Sequence, residues 1–262
     1  MKQLALITGA SSGIGKALAY EAAAQQIDLI LVARNGSKLI EAKIELERKF
    51  GISVHVIVKD LSNPEAAKDL HQEITAKGLQ VNMLVNNAGV GLYGEFVDTP
   101  LETELSMIDL NVSSLVVLTK LFAIDMKKRG EGRIMNVASL LSFLPFPYYS
   151  VYSATKAFVL AFTETVGAEL DGTGVIVTSI CPGPVDTNFT TAEMLGTNAY
   201  KTNKPAEASF VAKIAIRHLL HGKGNKVIGF NNWFISNLPR VTPDSIMVKI
   251  KKNLASQVKQ KE

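Results

Sequence analysis

The chain has 262 residues, 47% of them hydrophobic and 20% charged, which excludes a disordered or fibrous protein and leaves room for a large buried core. One cysteine, Cys181, excludes an internal disulfide framework and fits a reducing compartment, and the scattered His55, His71, His218 and His221 show no metal-ligand spacing. The net charge of +4 belongs to the tail: six basic and two acidic residues follow from Arg240 onward, so the remainder is formally neutral and no nucleic-acid-binding face is expected.

No apolar run is expected to reach the ~18 residues that span a membrane. The start, Met1-Lys2 and then Leu4-Ala5-Leu6-Ile7, is too short an apolar stretch for a signal peptide. The chain is read as starting at Met1 and staying in the cytoplasm.

Residues 3–8 form a short apolar run, enough for one buried strand. Gly9, Ser11, Ser12, Gly13, Ile14 and Gly15 follow, and 16–26 reads as an alanine-rich helix. Strand, glycine turn and helix are the context a dinucleotide site requires. Gly9 permits the turn, Gly13 lets the backbone approach a pyrophosphate, and Gly15 lets the helix lie close. The helix N-terminus offers free N–H groups to the phosphates.

Residues 27–33 form a second apolar strand, buried on both faces of a parallel sheet. Its end bears on the cofactor. NAD would want an acid there for the ribose 2′-hydroxyl, but the strand ends in Arg34-Asn35 and no acid follows until Glu41. Arginine at that edge can pair with a 2′-phosphate, which favours NADP(H) over NAD(H). The competing reading is a solvated loop arginine.

Helix 37–50, strand 52–58 ending at Asp60-Leu61, helix 64–77, and strand 81–85 ending in Asn86-Asn87-Ala88-Gly89 continue the alternation. This is the α/β doubly wound pattern, a Rossmann fold with a seven-stranded, mainly parallel sheet and helices on both faces. No linker, repeat or low-complexity segment appears, so one domain is expected.

Residues 100–129 read as one long helix with Asn111 in its middle. A buried asparagine there needs partners; a surface one does not. Strand 132–138 puts Ser139 at its carboxyl end, where sites lie in open parallel sheets. The apolar, aromatic loop 140–149 fits either packed core or the wall of a pocket for a lipophilic substrate. On helix 150–170, Tyr152 and Lys156 share a face at i, i+4. A neighbouring ammonium favours phenolate and lowers the tyrosine pKa.

Strand 175–181 ends in Pro182-Gly183-Pro184-Val185-Asp186-Thr187. Residues 189–204 read as a mobile substrate lid, 206–221 as a helix and 226–230 as the seventh strand. Residues 231–262 form a basic extension. Its last helix starts at Thr242-Pro243 and carries an i+4 stripe of Ile246, Ile250, Leu254 and Val258 beside lysines. Such a helix can lie on an anionic membrane surface; more commonly it packs on its own protein or on another subunit.

With these motifs in hand, residues 3–190 resemble the NADP-dependent short-chain dehydrogenases/reductases. Thr8-Gly9-x-x-x-Gly13-x-Gly15 is similar to that family's cofactor loop, Asp60-Leu61 to its adenine contact, and Asn86-Asn87-Ala88-Gly89 to its strand-four motif. Asn111, Ser139, Tyr152 and Lys156 match its catalytic tetrad in order and spacing, and Pro182, Gly183, Val185 and Thr187 its nicotinamide-side loop. Asn232-Trp233 and Leu238-Pro239-Arg240 resemble a bacterial subgroup of ketoacyl reductases and hydroxysteroid dehydrogenases. The resemblance implies NADP(H)-linked carbonyl reduction or its reverse. Tyr152 would protonate the oxygen, Ser139 orient it, Lys156 tune the tyrosine and hold the nicotinamide ribose, and Asn111 position a water of a proton relay. It also implies a small lipophilic carbonyl or alcohol substrate, no metal, and a homodimer or homotetramer. The competing function is an NADP(H)-binding redox sensor or scaffold without turnover.

Overall fold

A computed structural model describes residues 3–256 except 145, 188, 190 and 191. In chain order it contains β1 Leu4–Thr8, α1 Gly13–Ala24, β2 Asp28–Ala33, α2 Gly36–Phe50, β3 Val54–Val58, α3 Pro64–Ala76, β4 Met83–Asn86 and α4 Leu101–Ile108. A π-helical turn Asp109–Ser114, α5 Leu115–Arg129, β5 Gly132–Val137, α6 Ser150–Glu169, β6 Val175–Cys181 and β7 Val185–Asp186 follow. The chain continues through α7 Ala192–Leu195, α8 Asn198–Thr202, β8 Ala206–Glu207, α9 Ala208–His221, β9 Gly224–Val227, α10 Phe230–Asn237 and α11 Asp244–Ala255.

Seven of the strands form one sheet in the order β3-β2-β1-β4-β5-β6-β9, every neighbouring pair parallel. The continuous apolar runs of the sequence face both ways. On β1, Ala5 and Ile7 join the layer formed with α1, α2 and α9, while Leu4 and Leu6 join the layer with α3 and α5. Each such fully buried leucine or isoleucine contributes about 2 kcal/mol of transfer free energy. Local signals set the helix ends. Asn35 caps α2 through the amide of Lys38 (3.0 Å), and Gly51 closes it at φ +66°. Asn63 caps α3, with Pro64 in its first turn. The strand order reverses between β1 and β4, so the crevice at their carboxyl ends lies at a topological switch point.

The structure redraws several sequence boundaries. Helix α1 starts at Gly13, not at Lys16. The long helix over 100–129 is helical throughout, but Asn111 sits in a π turn between α4 and α5. Segment 189–204, read as a lid, contains the short helices α7 and α8. Residues 206–207 pair with β7, so helix α9 starts at Ala208, and the last strand of the sheet is 224–227. The helical stretch Leu101–Arg129 is long and apolar enough to cross a membrane, contrary to the expectation that no run reaches that length. Here Leu115, Leu118, Phe122 and Met126 spend that apolarity on the protein core.

Candidate active site

The glycine loop is shaped by contacts that leave no room for side chains. Gly9 (φ +67°) and Gly13 (φ +53°) adopt left-handed backbone. A Cβ on Gly15 would stand 2.2 Å from the Gly9 carbonyl oxygen, so the start of α1 folds directly onto the turn. The end of β4 is tied to the same turn. Thr8 Oγ1 accepts from the amides of Asn87 (3.0 Å) and Ala88 (2.9 Å), and Asn87 Nδ2 donates to the Thr8 carbonyl (2.8 Å).

Asn111 is 1% exposed and its partners account for its amide. Its Oδ1 accepts from the Val90 amide (3.0 Å), and its Nδ2 donates to the Val90 carbonyl (2.9 Å) and to Thr155 Oγ1 (3.1 Å). It therefore ties the loop after β4 to α6. The π turn rotates this position out of the regular helical ladder, a device common at functional sites.

Ser139 follows β5 and caps a short 3₁₀ turn, Leu140–Ser142. Its Oγ accepts from the Leu141 amide (3.1 Å). Ser142 completes a reciprocal box: its Oγ accepts from the Ser139 amide (3.2 Å) and donates to the Lys156 carbonyl (2.7 Å). Ser142 is thus a structural neighbour of both predicted residues that sequence reasoning passed over. The only sequence signal for it was its spacing of three from Ser139.

Tyr152 is half-buried and Lys156 is 6% exposed. The Lys156 ammonium lies 5.9 Å from the Tyr152 ring centroid and donates to the Val137 carbonyl at the end of β5 (2.8 Å). The electrostatics differ from the sequence expectation. Burial pushes the Tyr152 phenol up to about 12, opposed by a hydrogen bond from Ser139; Lys156 is not among the groups that lower it. Burial also pulls Lys156 down to about 8. The protein alone therefore stores a protonated phenol beside a weakly held ammonium charge.

One cavity of about 600 Å³ runs along the carboxyl ends of the strands. Gly9, Ser11, Ser12, Gly13, Ile14, Gly15, Arg34, Asp60, Leu61, Asn87, Ala88, Gly89, Ser139, Tyr152, Lys156, Pro182, Gly183, Val185 and Thr187 all line it. Asn111 stands one layer behind, against Val90 and Gly89, whose Cβ would lie 3.1 Å from Asn111 Oδ1. At one end Arg34 and Asp60 face each other at 4.0 Å, both exposed, beside Asn35 and Lys59. Backbone hydrogen bonding from Ser62, and to a lesser degree Arg34, hold the Asp60 carboxyl below its usual range.

The other end is apolar. Loop 140–149 answers both of its alternatives, since Leu144, Phe146 and Tyr149 are buried in a core cluster and also line the cavity; Pro145 lies outside the described residues. Phe189, from the segment after β7, packs on Tyr152 with ring centroids 5.5 Å apart and leaves no space for a Cβ on Gly91. Met194 and Tyr200 from the segment read as a lid, with Ile235, Leu238, Met247 and Leu254 from the C-terminal extension, complete this end; of these, Met247 was not singled out in the sequence. The C-terminal stripe holds in part, since Ile250 and Leu254 line the cavity, but the most buried positions of the helix fall one residue on. Ile246 and Ile250 are largely exposed, while Met247 and Ala255 face inward; Val258 and the terminal lysines lie outside the described residues. Helix α11 is held there by Tyr93, which donates to the Ala255 carbonyl (2.9 Å), and by Asn198, whose Nδ2 donates to the Asn253 carbonyl (2.9 Å).

A glycine cradle with no room for side chains, continuous with a basic edge and a Ser-Tyr-Lys cluster, fits a nicotinamide dinucleotide. Known proteins agree with that fit. The family described as short chain dehydrogenase matches residues 3–198. The chain is 36% identical over 201 residues to human 17-beta-hydroxysteroid dehydrogenase type 3, covering 76% of this chain but 63% of that protein, so it spans less than two thirds of the relative's length. It is 32% identical to the very-long-chain 3-oxoacyl-CoA reductase of Anas platyrhynchos, covering 98% of this chain and 83% of that one. The solved short-chain dehydrogenase from Sphingobium yanoikuyae in complex with NADPH superposes with a TM-score of 0.79 at 26% identity, covering 94% of this chain and 95% of that one. Fold, cofactor cradle and sequence kinship converge: the chain belongs to the short-chain dehydrogenase/reductase family.

Proposed function

We propose that this protein is an NADP(H)-dependent oxidoreductase that reduces a carbonyl on an apolar substrate, or oxidises the corresponding secondary alcohol. The observation that carries the reading is the placement of Ser139, Tyr152 and Lys156 in the same cavity as the glycine loop. When bound, the nicotinamide cofactor supplies or accepts the hydride. Gly9 to Gly15, with Asn87 and Ala88, would cradle its phosphates, and Thr187 and Pro182-Gly183 would flank its nicotinamide end. Tyr152 holds the proton destined for the carbonyl oxygen, and Ser139 Oγ orients that oxygen by donating to it. The hydrogen bond from Ser139 favours the tyrosinate left behind, and Lys156, 5.9 Å from the Tyr152 ring centroid, would hold the nicotinamide ribose. Asn111 acts through Val90 and Thr155, fixing the loop and the helix that carry the reacting groups.

Arg34 supports a preference for NADP(H), because it is a forked cation at the cofactor edge of the cavity where a 2′-phosphate would lie. The apolar end of the cavity supports a lipophilic ketone, in keeping with the steroid and acyl substrates in the names of the relatives. A homodimer or homotetramer would use the outer faces of Leu101–Arg129 and α6, where Leu101, Leu105, Ile108, Ile124 and Phe158 are exposed.

Reversible docking of this cytoplasmic protein on an anionic membrane completes the reading. Phe230, Trp233 and Phe234 on α10, Val241 in the connection, and Ile246 and Val248 on α11 are exposed, with Arg240, Lys249 and Lys252 in the same segment. Aromatic side chains with basic neighbours suit a lipid headgroup boundary. Ile250 belongs both to this surface and to the cavity lining, so a lipophilic substrate could enter from the bilayer. Co-sedimentation with phosphatidylserine vesicles, lost at high salt, is the expected result; no binding at low salt would remove this part.

The test of the activity is an NADPH-oxidation screen over ketones and aldehydes of graded chain length, repeated with NADH. Turnover rising with chain length and favouring NADPH is expected. NADPH binding without oxidation of any member would favour the sensor reading instead.

A further inference from the structure

The apolar end of the cavity contains one charged side chain among the described lining residues, Lys251 of α11. Its position on the helix is unusual for a lysine. Met247, one turn before it, is 3% exposed, and Ala255, one turn after it, is 0% exposed. Residues at i−4, i and i+4 share a helix face, so Lys251 occupies the inward face between two buried neighbours. A packing role alone would suit leucine or methionine there. Lys251 is half-buried, and no carboxylate of the described residues pairs with it. The helix that carries it is fixed at its C-terminal end by the hydrogen bonds from Tyr93 and Asn198.

We infer that Lys251 is an anion subsite of the substrate cavity, and that the substrate is an amphiphile with an apolar body and an anionic group remote from its carbonyl. The proposal rests on the carbonyl-reduction reading and deepens it. A lipophilic ligand closing over this ammonium strips its water, and the lost hydration is regained only through a partner on the ligand. A carboxylate, sulfonate or phosphate on the ligand supplies that partner, while Leu144, Phe146, Met194 and Leu254 take up the chain between charge and carbonyl. The lysine stem is long and flexible, so the ammonium can follow ligands of different length at the mouth. The same charge selects against a neutral lipid of equal length.

Two measurements test this separately from turnover. The first is calorimetric binding of dodecanoate and of dodecan-1-ol to the NADP⁺-loaded protein, in wild type, Lys251→Gln and Lys251→Arg. Wild type is expected to bind dodecanoate about tenfold more tightly than the alcohol, as a desolvated charge pair allows. Lys251→Gln should bind both alike, and Lys251→Arg should keep the preference. Equal affinities in wild type, or a preference that Lys251→Gln retains, would overturn the subsite whether or not any ketone is reduced. The second is the ratio of kcat/KM for a medium-chain keto acid over its methyl ester. Lys251→Gln should lower that ratio about tenfold through a raised KM for the keto acid. An unchanged ratio would overturn the role of Lys251 while leaving carbonyl reduction intact. An absence of reduction by wild type, with dodecanoate still preferred, would instead overturn the activity and keep the subsite.

Discussion

Asn111 and Val90 exchange two hydrogen bonds: the Val90 amide donates to Asn111 Oδ1 at 3.0 Å, and Asn111 Nδ2 donates back to the Val90 carbonyl at 2.9 Å. A side-chain amide thereby imitates a strand neighbour for the loop that leaves β4. Asn111→Ala removes these bonds and that to Thr155, leaving buried backbone groups unpaired at a cost of about 2–4 kcal/mol. For a chain of this size that lowers the melting temperature by roughly 5–15 °C. Thermal unfolding monitored by circular dichroism reads the loss, and a shift under 2 °C, on the order of 0.5–1 kcal/mol, would contradict it.

Gly15→Ala places a Cβ 2.2 Å from the Gly9 carbonyl oxygen, which is backbone and cannot swing aside. The turn must open, at about 1–3 kcal/mol of overpacking strain. NADPH affinity should fall about tenfold or more with the turn displaced. Fluorescence titration with NADPH measures it; unchanged affinity would mean that the close approach is not what shapes the cradle.

Arg34→Ala removes the forked cation at the cofactor edge. The ratio of kcat/KM with NADPH to that with NADH should fall about 10- to 100-fold, as for loss of a charge-assisted hydrogen-bonded pair. The NADH value itself should hold or rise. An unchanged ratio would transfer the preference to Lys59 or Ser11, which line the same cavity.

The two site pKa values set opposite pH dependences for the two directions. Lys156 carries its charge below about 8 and loses it above, so kcat/KM for reduction should be level below that pH and fall beyond it. Tyr152 keeps its proton up to about 12, so reduction is not limited by the acid near neutrality. Alcohol oxidation needs the tyrosinate and should climb with pH through the alkaline range. In Lys156→Arg the inflection near 8 should vanish from whatever reduction remains, because arginine stays charged. An inflection that persisted in that variant would belong to another group.

Much of this architecture was legible because its signals are local. The apolar runs, the glycine turn and the capping asparagines fix a doubly wound sheet, and its carboxyl edge gathers Thr8, Asn87, Ser139 and Tyr152 from distant parts of the chain. What escaped is set by tertiary contact. The π turn at Asn111 has no sequence signature, and its partners Val90 and Thr155 lie 21 and 44 residues away. The inward turn of Met247 and Lys251 depends on where Tyr93 and Asn198 anchor α11, and the visible stripe showed only Ile250 and Leu254 of the residues that line the cavity there. The raised phenol of Tyr152 reflects burial, whereas residue spacing could show only the lysine nearby.

The most direct test is NADPH oxidation by Tyr152→Phe with the best ketone of the screen. The substitution keeps the ring packed against Phe189 and Tyr149 and removes only the hydroxyl. The account predicts unchanged NADPH affinity and melting temperature with kcat lowered about 10²- to 10⁴-fold, the share a positioned general acid contributes. Full turnover by the phenylalanine variant would contradict it.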